Sequence, residues 1–159
     1  MIQQILLMFL LVRESYDLPA ELSLRCETVV RKNLSLAEDF LDSTVKDQAA
    51  TELKPHQLYC KTLRFGDGSA QVKETDCPTL LVDVYEINEL GEQKLSYSIR
   101  PAKKINLPTC IEGLREGVKG MTAGEKRRIF AHPSLTHGDI GFKAPEHYLI
   151  FDVELVSVR

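Results

Sequence analysis

The chain has no tryptophan, four cysteines, and no apolar run long enough to cross a membrane as a helix. Each shortage excludes something. Cys26, Cys60, Cys77 and Cys110 are widely scattered, with no C-x-x-C and no paired spacing, which argues against a zinc site or a dense disulfide framework. Free thiols packing as small hydrophobes are expected instead. The apolar run Ile5-Leu6-Leu7-Met8-Phe9-Leu10-Leu11-Val12 has eight residues, whereas a spanning helix needs roughly 20. Ile2-Gln3-Gln4 carries no charge and Arg13-Glu14-Ser15-Tyr16 offers no small-x-small cleavage site, so the run also lacks the marks of a secretory leader. A buried or partner-facing helix is the expectation there. A basic excess is missing as well: 20 Lys and Arg stand against 23 Asp and Glu, for a net charge of −3, and nothing points to nucleic acid. His132 and His137 are five apart across a proline and poorly placed to share an ion, so neither a metal nor a cofactor is expected. There is no internal repeat and no low-complexity segment.

What remains is an ordinary mixture, 43% hydrophobic and 27% charged over 159 residues, enough for one sizeable core with an extension. The charge is uneven. Residues 1–50 hold five Lys and Arg against eight Asp and Glu, while residues 51–159 hold fifteen of each. Apolar or small residues recur at Leu22, Cys26, Val29/Val30, Leu34, Ala37, Phe40/Leu41 and Val45, the three-and-four spacing of one helix face. With no Gly or Pro to interrupt it, a helix of about 30 residues over 20–54 is expected, ending at Lys54-Pro55 because proline disfavours helical geometry in the residue before it. A helix of that length must lay its apolar stripe on the following domain or on a second copy of the chain.

Beyond Pro55 the pattern changes to short strands. Gln57–Arg64, Thr79–Ile87, Lys94–Ile99, Glu125–Ala131 and the alternating Leu149–Val156 read as strands, with Gly66-Asp67-Gly68 and Asn88-Glu89-Leu90-Gly91 as turns. Pro101–Pro108 reads as a loop or an edge strand. Cys110, Ile111, Leu114, Val118 and Met121 are spaced for one face of a short helix. Gly113, Gly117 and Gly120 weaken that helix and imply close packing on a sheet. Lys126-Arg127-Arg128 reads as an exposed basic strand face. The expected class is α+β, an antiparallel twisted sheet wrapped around one short helix and preceded by a long N-terminal helix. The expected division is an N-terminal helical segment, 1–53, and a folded domain, 54–159.

The segment Ile111-Glu112-Gly113-Leu114-Arg115-Glu116-Gly117-Val118-Lys119-Gly120-Met121-Thr122-Ala123-Gly124-Glu125 resembles the central helix signature of FKBP-type peptidyl-prolyl isomerases. His132-Pro133-Ser134-Leu135-Thr136-His137-Gly138 stands where that family has its Pro-x-x-x-Tyr-Gly loop, and Leu149–Leu155 resembles its closing strand. Upstream, Ala37-Glu38-Asp39-Phe40-Leu41, Glu52-Leu53-Lys54-Pro55, Leu58-Tyr59 and Gly66-Asp67-Gly68 are similar to the bacterial macrophage-infectivity-potentiator (Mip) branch. The resemblance covers roughly residues 33–159.

It implies an isomerase acting on proline-containing polypeptides, with pairing through the N-terminal helix to make a homodimer. It also implies residence in the cell envelope; the cytoplasm is the alternative if the N-terminal apolar run is not a targeting signal. By the same resemblance Ile111 opens the helix over the pocket and its N–H meets the substrate. Leu114 takes the pocket floor, where Trp is commonest. Phe151 forms aromatic wall, and His137 replaces the usual hydroxyl-bearing Tyr. A neutral His could still donate a hydrogen bond, with pH dependence. Substrate contacts are further implied at Cys110, at Phe142 in the loop, and around Val84 and Tyr85. The family's Phe-Asp pair falls at Leu95-Ser96, or at Tyr97-Ser98 if the turn carries an insertion; the Asp is absent either way. With these replacements the expectation is weakened catalysis, or a non-catalytic FKBP-fold chaperone that binds proline-containing chains.

Overall fold

The computed structural model describes Asp39, Ser43 and residues 49–87, 92–136 and 148–158. The chain divides into two compact units, Met1–Lys32 and Asn33–Arg159, and everything described belongs to the second. Asp39 and Ser43 lie in helix, but the apolar stripe read over 20–48 and the run Ile5–Val12 lie outside the described residues.

Among the described residues six strands follow: β1 (Thr51–Lys54), β2 (Leu58–Arg64), β3 (Thr79–Ile87), β4 (Gln93–Lys104), β5 (Lys126–Ala131) and β6 (Leu149–Ser157). They form one sheet in the order β1-β2-β5-β6-β3-β4, and every neighbouring pair is antiparallel. Among the described residues one short α-helix, the central helix (Glu112–Val118), packs against it. The α+β reading therefore stands for the sheet and its helix.

One boundary is corrected. The helical pattern was expected to run to 54, yet Thr51–Lys54 pair with Leu58–Cys60 as an edge strand. Pro55 does end an element, but that element is extended, the geometry a residue before proline prefers. Gln57 N–H closes the turn on the Lys54 carbonyl at 3.0 Å. Ladder hydrogen bonds to β2 satisfy this backbone, and local helix propensity of tenths of a kcal/mol per residue (~0–0.7) cannot compete with them. The segment 101–104, open between loop and edge strand, is the end of β4 at the sheet margin.

The core lies between the helix and one face of the sheet. Leu58, Leu80, Val82, Val84, Ile129, Phe151, Val153 and Leu155 project from the strands into the same buried cluster as Ile111, Leu114 and Val118 of the helix region. The helix approaches unusually closely. A Cβ on Gly113 would lie 2.8 Å from Ala131 Cβ, and one on Gly117 would lie 2.5 Å from Ile129 Cδ1. Glycine at these two points lets the helix backbone rest directly on β5. Past the helix, Gly120 takes φ +76°, the left-handed conformation that turns the chain away. The opposite sheet face carries a smaller cluster of Tyr59, Ile87, Phe130, Tyr148 and Ile150. Ile150, on the opposite side of β6 from Phe151, is therefore fully buried as well.

Candidate functional site

Strand pairing decides which of the expected site residues share a face. Residues directly opposite in an antiparallel ladder project to the same side. Phe151 on β6 lies between Ile129 on β5 and Val84 on β3, and Val84 in turn faces Tyr97 on β4. Ile129, Phe151, Val84 and Tyr97 thus form one row across four strands on the helix side. Phe151 and Val84 are fully buried, and Tyr97, at the edge, is half exposed.

The next row belongs to the other side. Tyr85 pairs with Ile150 and with Leu95, and Tyr85 packs against the outer cluster of Tyr59, Phe130 and Ile150. The ladder skips Ser96 between these rows, a bulge that inserts one extra residue on β4. Of the two registers open in the sequence, the one with Tyr97 is therefore the one that faces Val84. Tyr85 and Leu95 stand away from the row that holds Phe151.

From the helix side, Cys110, Ile111 and Leu114 are all buried and join the same cluster as Val84 and Phe151. Ile111 is the N-cap, with φ −58° and ψ 142°, and no side chain caps the helix there. The first backbone N–H groups of a helix have no intrahelical partner, so this end is rich in donors. Burial pushes the Cys110 thiol up to about 11, against smaller opposing pulls from the Ile111 backbone hydrogen bond and the Arg115 charge. It stays neutral at physiological pH within that cluster. His137 and Phe142 lie outside the described residues.

The approach to that loop is ordered by His132. Its Nδ1 accepts the Ser134 backbone N–H at 3.1 Å and lies 2.8 Å from Ser134 Oγ. Its ring meets Tyr148 edge-on, with centroids 5.8 Å apart. Burial pushes the imidazole below its ordinary value of 6.5, so the neutral form that accepts these bonds is favoured. His132 thus serves as a loop-bonding histidine.

The basic triplet on β5 is not one exposed face. Arg128 makes a bidentate pair with Asp152 at 2.7 and 2.6 Å on the outer side, and that pairing raises the arginine's pKa above its usual value. Arg127 points the other way. Its Nε donates to Glu125 Oε1 at 2.6 Å, and its Nη1 donates to the carbonyls of Gly117 at 3.1 Å and Lys119 at 2.9 Å. Arg127, Ile129 and Ala131 alternate along β5, and that period of two with the apolar Ile129 and Ala131 was the signal that places Arg127 on the helix side.

Cys110, Ile111, Leu114, Val84 and Phe151 thus gather in one buried cluster on one side of an antiparallel sheet. The model for FKBP-type peptidyl-prolyl cis-trans isomerases matches residues 92–156. Residues 92–156 carry that family's domain. It is Mip-like: the peptidyl-prolyl cis-trans isomerase Mip of Chlamydia pneumoniae is 34% identical over 129 residues, covering 80% of this chain and 48% of that protein. The chain spans about half the length of the curated Chlamydia relatives it matches. Among solved structures, FkpA from Escherichia coli superposes with a TM-score of 0.67 at 24% identity, covering 99% of this chain and 71% of that one. A peptidyl-prolyl cis-trans isomerase from Pseudomonas syringae gives 0.67 at 17% identity, covering 79% of this chain and 92% of that one. At those identities the structural likeness bears on the FKBP fold, not on the residues of the site.

Proposed function

We propose that this FKBP-type domain is a peptidyl-prolyl cis-trans isomerase that assists protein folding, with activity weakened by the altered pocket residues. Rotation about an X-Pro bond faces a resonance barrier of about 18–20 kcal/mol, and no nucleophile or general base is needed to lower it. An apolar pocket disfavours the charge-separated planar amide and favours the twisted, less polar transition state, while fixed donors orient the carbonyl. The observation that carries the reading is the convergence of Ile111, Leu114, Val84 and Phe151 in one buried cluster, beside the donor-rich N-terminus of the central helix. Leu114 would serve as floor, Phe151 and Tyr97 as wall, the Ile111 N–H as donor, and His137 as the replacement for the usual tyrosine.

The substrates in this reading are proline-containing polypeptides. Self-association through the N-terminal helical segment, 1–53, belongs to the same proposal, with the domain at 54–159; sedimentation of the full chain over a range of concentrations tests it. The test of catalysis is a prolyl-peptide isomerisation assay. A first-order rate above the uncatalysed background that scales with protein concentration is expected, with a gain when His137 is changed to Tyr. No rate above background would remove the enzyme and leave a proline-peptide binding or chaperone domain.

A further inference from the structure

The central helix has seven residues, and Gly113 and Gly117 fall inside it. Helices shorter than about 12 residues are marginal on their own, so contacts with the rest of the fold must decide where this one sits. Besides Leu114 and Val118 in the core and the Lys119–Glu74 pair at the C-cap, three contacts hold it. Gly113 and Gly117 rest on Ala131 and Ile129 of β5. Near the N-terminus, Lys54 Nζ reaches Glu112 at 2.7 Å, an ion pair about half open to solvent. At the C-terminus stands Arg127.

The Arg127 contact is the most enclosed of the polar ones. The side chains of Arg127 and Glu125 keep 14% and 8% of their exposure, against 42% and 40% for Lys54 and Glu112. The last carbonyls of a helix lack intrahelical donors. The two hydrogens of Arg127 Nη1 are directed to two oxygens at this end, those of Gly117 and Lys119. Glu125 holds the guanidinium from behind through Nε, and its other oxygen accepts the Thr122 N–H at 2.9 Å in the turn between helix and β5. One largely enclosed pair thus joins the helix end, the turn and the strand. A cation here also complements the negative end of the helix dipole.

We propose that Arg127 is a positioning residue for the prolyl pocket: by fastening the C-terminal carbonyls of the central helix to β5, it sets the place of the Ile111 N–H and Leu114 at the other end. The helix is about 10 Å long, so a small tilt at the Gly117 end carries over to the N-cap. Sub-ångström displacement of an orienting donor is enough to lower the rate of a reaction that depends on fit. The activity part of this inference rests on the isomerase reading; the geometric part does not.

The test uses the full chain, ¹⁵N-labelled, with Arg127→Met, Arg127→Lys and, as a control on the same strand, Arg128→Met. Arg128 also loses an ion pair but faces away from the helix. All are compared below the onset of thermal unfolding. Arg127→Met is expected to move the Ile111 and Leu114 amide resonances more than those of β3 and β6. It should lower kcat/KM about tenfold, with the larger share in kcat. Arg127→Lys should fall between, because an ammonium cannot present the planar fork that reaches both carbonyls and the carboxylate. Arg128→Met should leave the Ile111 amide and kcat/KM as in the parent. Unchanged Ile111 and Leu114 amides in a folded but less stable Arg127→Met would overturn the proposal and make Arg127 a fold-stabilising residue only. If that variant does not fold, Arg127→Lys carries the same comparison. A parent without isomerase activity would sink the functional reading alone, since the amide shifts still decide the clamp.

Discussion

Replacing Gly113 by alanine sets a methyl group 2.8 Å from Ala131 Cβ and 3.2 Å from the Leu135 carbonyl oxygen. Neither obstacle can rotate away, because one is a Cβ and the other is backbone. Ordinary contact begins at 3.4 Å, so the helix must lift from β5 by about 0.6 Å or the strand must yield. Ala131 is fully buried within the core cluster, so there is no open side to move into. Overpacking of this kind costs about 1–3 kcal/mol, and alanine returns at most about 1 kcal/mol through helix propensity. The net expectation is a loss of about 1–2 kcal/mol, or roughly 5–15 °C in Tm for a domain of this size. Urea unfolding measures it.

The second variant isolates the cause. Ala131→Gly removes the opposing Cβ and costs about 1–2 kcal/mol alone, from a lost buried methyl and a more flexible strand. If the clash is the mechanism, the double variant Gly113→Ala/Ala131→Gly should be more stable than the sum of the singles by about 1 kcal/mol. The Leu135 carbonyl remains in place, so recovery should be incomplete. A Gly113→Ala protein as stable as the parent, or more so, would refute the reasoning and leave helix propensity as the dominant effect. Additive singles would refute the assignment to Ala131.

Three further outcomes are expected. Burial lowers the His132 pKa in the folded chain, so the folded state binds fewer protons than the unfolded one; stability should be full above about pH 6.5, fall as the pH drops below it, and level off past the lowered folded value. His132→Asn, whose amide oxygen can still accept the Ser134 N–H, should show a flatter dependence of urea midpoint between pH 8 and 5, and an unchanged slope would remove His132 as its source. Asp152→Ala leaves Arg128 without its bidentate partner while the arginine side chain is only 26% exposed; a loss of about 2 kcal/mol is expected, below the ~3–5 kcal/mol of fully buried pairs, and Arg128→Met/Asp152→Leu should lie closer to the parent in a thermal melt. In native protein at pH 7.5, peptide mass mapping after brief alkylation should find Cys77 modified well ahead of Cys60 and Cys110, since Cys77 is exposed while burial raises the pKa of the other two; equal labelling would contradict the packing of Cys110.

The strands and the central helix were legible because their backbones answer to short-range periodicity. The span Thr79–Ile87 was read directly from the sequence, and Leu149–Val156, within β6, from alternation. Thr51–Lys54 was misread because helix propensity over four residues is weak and the ladder to β2 outweighs it. The face of Tyr97 was open because side chains alternate with a period of two, and one inserted residue reverses every assignment beyond it. Only the pairing of Val84 with Tyr97 and Tyr85 with Leu95 reveals that the insertion is at Ser96.

Residue type and spacing by themselves determined the class of fold, the helix carrying Ile111 and Leu114, and the strand carrying Phe151, since each depends on neighbours within a few positions. Tertiary structure alone decided that Val84 and Phe151 share a row while Tyr85 and Leu95 do not. It also decided that Arg127 holds the end of the central helix while Arg128 pairs with Asp152 on the opposite face. Those assignments depend on contacts between residues far apart in sequence, and local pattern carries no information about which distant group a strand will bring alongside.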